Sequence, residues 1–122
     1  MKYLLDSVIV IDHLNGIAEA TGFLRANAHL SAVSVITRAE VLVGVLETQE
    51  QPVTRLLNQF RTLPMTVQVA DRAAVLRRSE RWKLPDAIQA AIAMESGLVL
   101  VTRNTRDFQT GSLPEVLIPY HL

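Results

Sequence analysis

Apolar and polar positions follow one another along the chain in blocks. Tyr3–Leu4–Leu5 is an apolar run stopped by Asp6–Ser7, after which Val8, Ile11 and Leu14 recur at helical spacing. That pattern predicts a strand and then a capped helix. A second helix is expected from Ala18 to Ala26, a short strand over 30–33, and a long helix from about Val35 to Glu47 with Ser34 as its N-cap. Val35, Ile36, Ala39, Leu42, Val43 and Leu46 fall on one side of that helix and form its predicted core face. Pro52 opens a further predicted helix running to about Arg61, Pro64 interrupts, and Met65 to Val69, with β-branched Val67 and Val69, reads as a strand. Asp71 to Trp82 is amphipathic. Pro85 suits the first turn of a helix whose residues Ala87, Ile88, Ala90, Ala91, Ile92, Ala93 and Met94 surround it almost completely with apolar groups, and Gly97 is placed to end it. Leu98–Val101 and Val116–Ile118 complete the predicted strands.

None of these strands alternates with period two, so both faces are expected to be covered, and no Asn-Gly or Asp-Gly hairpin joins them. The expected fold is α/β: a three-layer α/β/α sandwich around a parallel sheet of four or five strands. With 122 residues, the expectation is one domain over 1–122. The hydrophobic share of 49% against 20% charged excludes a disordered or charged-linker protein. Asp6 and Asp12 break the opening apolar stretch too early for a signal peptide or a membrane span, so the chain reads as cytoplasmic with no membrane partner.

Charge and metal chemistry narrow the picture further. Twelve Lys+Arg balance twelve Asp+Glu, so a polyanionic partner would need a local patch or a metal ion. Zero Cys removes disulfides and thiolate sites, and His13, His29 and His121 lack helical zinc spacing, which leaves oxygen ligands for any metal. In an open parallel sheet, ligands bind beyond the carboxyl ends of the strands. Asp6 ends the first predicted strand, Asp86 opens the buried helix, and Asn104 and Asp107 follow the Leu98–Val101 strand. Glu40 lies at the boundary between the apolar side of its helix and the side carrying Thr37 and Gly44, from which it can lean toward the same rim. Each acid alone has a simpler role: a helix cap for Asp6, a dipole partner for Asp86, a solvated face for Glu40, a turn for Asp107. Together they repel unless neutralised, and all-oxygen carboxylate clusters suit Mg²⁺ or Mn²⁺. Such ions polarise phosphodiesters and activate water, so phosphodiester hydrolysis is the expected chemistry.

Four segments in order, Asp6–Ser7–x–x–x–Ile11, Ser34–x–x–Thr37–x–x–Glu40–x–x–x–Gly44, Leu84–Pro85–Asp86–Ala87 and Thr102–x–Asn104–x–x–Asp107–Phe108, span nearly the whole chain. In this order they resemble the PIN-domain ribonucleases, in particular the VapC-type toxins of bacterial toxin–antitoxin pairs. The resemblance implies a PIN-like fold, Mg²⁺- or Mn²⁺-dependent endonucleolytic cleavage of RNA, a homodimer, and inhibition by a small antitoxin that inserts a segment into the site. Carried over by position, the family's metal-binding acids correspond to Asp6, Glu40, Asp86 and Asp107, with Ser7, Thr37 and Asn104 as accessory polar groups. Many relatives carry an acid where this chain has Asn104, which bears on a second metal, and the stretch from Glu40 to Asp86 is short.

The richest local charge, Arg72, Arg77, Arg78, Arg81 and Lys83 against Glu80 alone, is ordinarily a solvated helix face. With Arg outnumbering Lys ten to two, however, Arg77, Arg78, Arg81, Lys83, Arg103 and Arg106 are also candidates for gripping RNA phosphates. Two other functions remain open at this point: a PIN-like module that binds protein without catalysis, and a phospho-acceptor receiver domain. The second needs an Asp after a central strand, for which Asp71 after Val67–Val69 is the candidate, and a Lys after the last strand, which does not follow Val116–Ile118.

Overall fold

The computed structural model describes residues 1–104, 106, 108 and 114–122. Among the described residues, five strands form one sheet: β1 (Tyr3–Leu5), β2 (Ser31–Ser34), β3 (Arg61–Leu63), β4 (Val99–Val101) and β5 (Val116–Leu117). Their spatial order is β3-β2-β1-β4-β5, and every pairing is parallel. Among the same described residues, six α-helices accompany them: α1 (Ser7–Leu14), α2 (Ala18–Asn27), α3 (Val35–Val43), α4 (Glu50–Leu57), α5 (Val67–Glu80) and α6 (Leu84–Ser96).

Strand side chains alternate between two cores, which is what makes three layers. Leu4, Ala32 and Leu100 are in register across β2, β1 and β4 and pack with Ala73, Ile88, Ala91 and Ile92 of α5 and α6. The next residues along, Leu5, Val33 and Val101, face the other way, onto Ile9 of α1, Ala20 and Leu24 of α2, Phe60 and Tyr120. All six strand residues are fully buried. That explains the missing period-two pattern, since a strand covered on both faces has no solvent side for polar residues. A third cluster, Val10, Val41, Val53 and Leu57, ties α1, α3 and α4 together.

Local capping decides several boundaries. Asp6 caps α1 by accepting the Ser7 N–H at 2.8 Å, and Ser34 caps α3 by accepting the Thr37 N–H at 3.0 Å. The strand expected over Met65–Val69 is corrected. The strand is Arg61–Leu63, Pro64 follows it, and Thr66 accepts the Val69 N–H at 3.1 Å to start α5 at Val67. A side-chain cap thus outweighs the β preference of Val67 and Val69, and helix α5 starts before the predicted Asp71. The long helix expected to reach Glu47 instead stops at Val43, with Gly44 as its C-cap and Leu46 in extended backbone. Its core face is also corrected. Thr37 and Val41 are buried, whereas Val35, Ala39, Val43 and Leu46 are exposed, Val43 by 87%.

Helix α5 ends at Arg81, which adopts the left-handed conformation at φ 59°, ψ 26°. A side chain with a Cβ is disfavoured there, while Gly is not. Arg81→Gly is therefore expected to raise stability by about 1 kcal/mol, read as a rise in thermal midpoint. An unchanged or lower midpoint would show that the Arg81 side chain makes a compensating contact.

Candidate active site

Sheet order places the site. The chain runs outward from β1 to β2 and β3, then returns to the other side of β1 with β4, so the order reverses between β1 and β4. Connections diverge at such a switch point and leave a crevice at the carboxyl ends of the two strands. Asp6 directly follows β1 and Thr102 directly follows β4.

Asp6 is 7% exposed and held from three sides. Its Oδ1 accepts the Ser7 N–H, its Oδ2 accepts the Thr102 hydroxyl at 2.7 Å, and Gln89 Nε2 donates to Oδ1 at 3.4 Å. Thr102 in turn accepts the Asn104 N–H at 3.0 Å, which starts the loop after β4. Glu40 lies on α3 with its residue surface exposed. Its carboxyl is raised above the ordinary value, first by loss of hydration and also by the negative charge of Asp6, while a hydrogen bond from the Ser7 side chain acts the other way. Asp6, Ser7 and Glu40 therefore share one locality.

Asp86 stands half-buried in the first turn of α6, three residues before Gln89 and so one turn from it on the same side. Asp107 lies outside the described residues. Phe108 is buried and stacks at a tilt on Trp82, centroids 5.1 Å apart, which seats the Phe108 ring against the α5–α6 connection. Among the described residues, no three Asp, Glu or His side chains are grouped closely enough to hold one ion.

Thr37 is buried and used structurally: its hydroxyl donates to the Leu5 carbonyl at 3.0 Å and accepts from Gln89 Nε2 at 2.6 Å. Of the candidate phosphate contacts, Arg78, Arg81, Lys83 and Arg106 are exposed. Arg77 donates to the Trp82 carbonyl at 2.8 Å, and Arg103 donates through Nε and one terminal nitrogen to Asp12 at 2.6 and 2.9 Å. Gln89 escaped the sequence reading, and Thr102 entered it only as the first residue of a motif, without a role. Gln89 carried a signal, since it is the only polar side chain in the run from Ala87 to Ala93.

Residues 3–111 match the model of the PIN domain family. The chain belongs to the PIN-domain family. It is 35% identical over 113 residues to Ribonuclease VapC10 of Mycobacterium tuberculosis, a match covering 86% of this chain and 84% of that protein. A toxin–antitoxin complex from Klebsiella pneumoniae contains a chain with TM-score 0.89 and 38% identity, covering 99% of this chain and 100% of that one. FitAcB from Neisseria gonorrhoeae superposes with TM-score 0.81 at 25% identity over 98% and 99% of the two chains. The PIN-like three-layer α/β/α fold expected from the sequence is thus the fold of this chain. The receiver-domain reading is overturned: a receiver sheet runs 2-1-3-4-5, and Asp71 lies inside α5 on an exposed face.

Proposed function

We propose that this PIN domain, spanning residues 1–122, is a divalent-metal-dependent endoribonuclease and the toxin of a toxin–antitoxin pair. The observation that carries the reading is the pair Asp6 and Glu40 at the β1/β4 switch point, two carboxylates near enough that the charge of Asp6 raises the Glu40 carboxyl. An oxygen-only, like-charged donor set fits Mg²⁺ or Mn²⁺. Asp6, Glu40, Asp86 and Asp107 are the proposed ligands, with Ser7 and Asn104 as neighbouring polar groups; a shared ion would have to draw Asp6, Glu40 and Asp86 closer than the structure holds them, and Asp107 lies outside the described residues. When bound, the ion polarises a phosphodiester oxygen and lowers the pKa of an attacking water.

The chain's own residues prepare that site. Asp6 is fixed by the Ser7 N–H and the Thr102 hydroxyl, so its oxygens are pre-aimed. Asp86 adds its charge at the positive end of α6. Exposed Arg78, Arg81, Lys83 and Arg106 are the proposed phosphate contacts; Arg77 and Arg103 already hold intramolecular partners. An apolar groove of about 360 Å³ lined by Ile11, Leu14, Val41, Gly44, Leu46 and Val53 runs up to Glu40, which supports a small antitoxin whose apolar segment reaches the acids. That relatives form toxin–antitoxin complexes agrees with this partner. A homodimer and a cytoplasmic location complete the proposal; among the described residues no helix is long and apolar enough to cross a membrane.

Purified protein incubated with a panel of structured RNAs is expected to cut internally when Mg²⁺ or Mn²⁺ is supplied and to stop when a chelator is added. Cleavage that survives chelation overturns the metal requirement. Intact RNA under every condition, with the protein folded, favours the binding-module reading instead.

A further inference from the structure

Helix α6 is buried on all sides from Ala87 to Ala93, and six of those seven residues are Ala or Ile. The seventh, Gln89, is 1% exposed. Packing alone would be served by Leu or Met at this place, and an amide taken from water is costly unless its hydrogen bonds are replaced. They are replaced fully. Gln89 Oε1 accepts the Ser34 hydroxyl at 2.5 Å, and Nε2 donates to Thr37 Oγ1 at 2.6 Å and to Asp6 Oδ1 at 3.4 Å.

The direction of the amide is determined by its partners. Asp6 as a carboxylate only accepts, so the NH₂ end must face it, and the oxygen end is left for the Ser34 hydroxyl. Ser34 Oγ then accepts the Thr37 N–H to cap α3, and the Thr37 hydroxyl donates a hydrogen bond to the carbonyl of Leu5, the residue before Asp6. Every donor in this chain has an acceptor. A single side chain therefore touches the end of β1 that carries Asp6, the first turn of the helix that carries Glu40, and its own helix, which carries Asp86 one turn earlier.

We infer that Gln89 is a positioning residue of the acidic site: it sets the Asp6 carboxylate and the spacing of α3 and α6, and thereby the site's affinity for a divalent cation. This rests on the ligand assignment proposed above. Hydrogen bonds behind metal ligands commonly change metal affinity by about 10–100-fold when removed.

The experiment titrates Mn²⁺ into the full-length protein by calorimetry, beside thermal unfolding and steady-state RNA cleavage. Gln89→Met keeps the volume and removes the amide; it orphans no backbone group but takes the acceptor from the buried Ser34 hydroxyl, so its thermal midpoint is expected to fall modestly with the protein still folded. Its Mn²⁺ affinity is expected to fall about tenfold or more, with kcat reduced more than KM is raised. Parental Mn²⁺ affinity in folded Gln89→Met overturns the inference. Asp6→Asn, titrated in parallel, separates the causes: affinity lost there but kept in Gln89→Met rejects Gln89 and leaves the ligand assignment standing, and affinity kept in both rejects the assignment as well. Should Gln89→Met fail to fold, Thr37→Val and Thr37→Ser carry the test. Affinity is expected to drop in the first and be restored in the second, which keeps the hydroxyl; equal affinity in both overturns the relay through Thr37.

Discussion

Asp6→Asn is expected to lower metal-dependent RNA cleavage at least about 100-fold, the equivalent of roughly 3 kcal/mol of transition-state stabilisation, while the protein remains folded. The second half of that expectation follows from the hydrogen bonds. Asn is as good an N-cap as Asp, and its Oδ1 still accepts from Ser7 and Gln89. The amide nitrogen takes the place of Oδ2 opposite Thr102, whose hydroxyl oxygen has one lone pair used by the Asn104 N–H and a second free to accept. The Thr102 bond reverses, and the buried Thr102 hydroxyl proton loses its acceptor, a cost of about 1–3 kcal/mol that lowers the thermal midpoint without abolishing the fold. What disappears is the negative charge. Glu40, raised by burial and then by Asp6, should titrate closer to the ordinary carboxyl value in the variant, which a side-chain NMR titration of both proteins would register. Full cleavage by a folded Asp6→Asn protein would remove Asp6 from the chemistry.

Elements announced by local chemistry were legible before the fold was. The caps Asp6 and Ser34 and the left-handed Gly97 that ends α6 act over a few residues, so their pattern carries their outcome. The face of α3 was not legible, because hydrophobic periodicity assumes that the most apolar side seeks the core. Here Thr37 enters the core because a hydroxyl is needed there, and Val43 is left at the surface next to the groove that Leu46 lines. The site divides the same way. Asp6 and Glu40 could be proposed from strand ends and helix boundaries, and the fold sets them together. The polar relay behind them joins Gln89 to Asp6, 83 residues away, and to Ser34, 55 away, and no local signal encodes such pairing.

The largest expected loss of stability lies at Asp12. This carboxylate is 5% exposed on α1 and receives Arg103 through two nitrogens and Tyr120 through its hydroxyl at 2.8 Å. Its partners come from 91 and 108 residues away, so one side chain ties α1 to the loop after β4 and to the C-terminal segment. Removing one member of a buried ion pair costs about 3–5 kcal/mol. Arg103 retains 32% of its side-chain surface and can turn to water, which argues for the low end, about 3 kcal/mol, for Asp12→Ala. Tyr120→Phe deletes one bond to a charged acceptor and is expected to cost about 1.5 kcal/mol. The pH dependence follows from the same contacts. Hydrogen bonding from Arg103, opposed by burial and helped by Tyr120 and the Arg103 charge, lowers the Asp12 pKa from its ordinary 3.8. The contribution of Asp12 is therefore whole above that ordinary value and is lost as pH falls through the lower folded one. Tyr120 moves the other way: burial first, then Asp12, raise its pKa above 10, so the folded state loses stability as pH climbs past that point. Denaturant unfolding across pH should show both slopes in the parent and a flatter acid limb in Asp12→Ala. An identical acid limb in the two proteins would mean that other carboxylates govern acid unfolding and that the clasp contributes little.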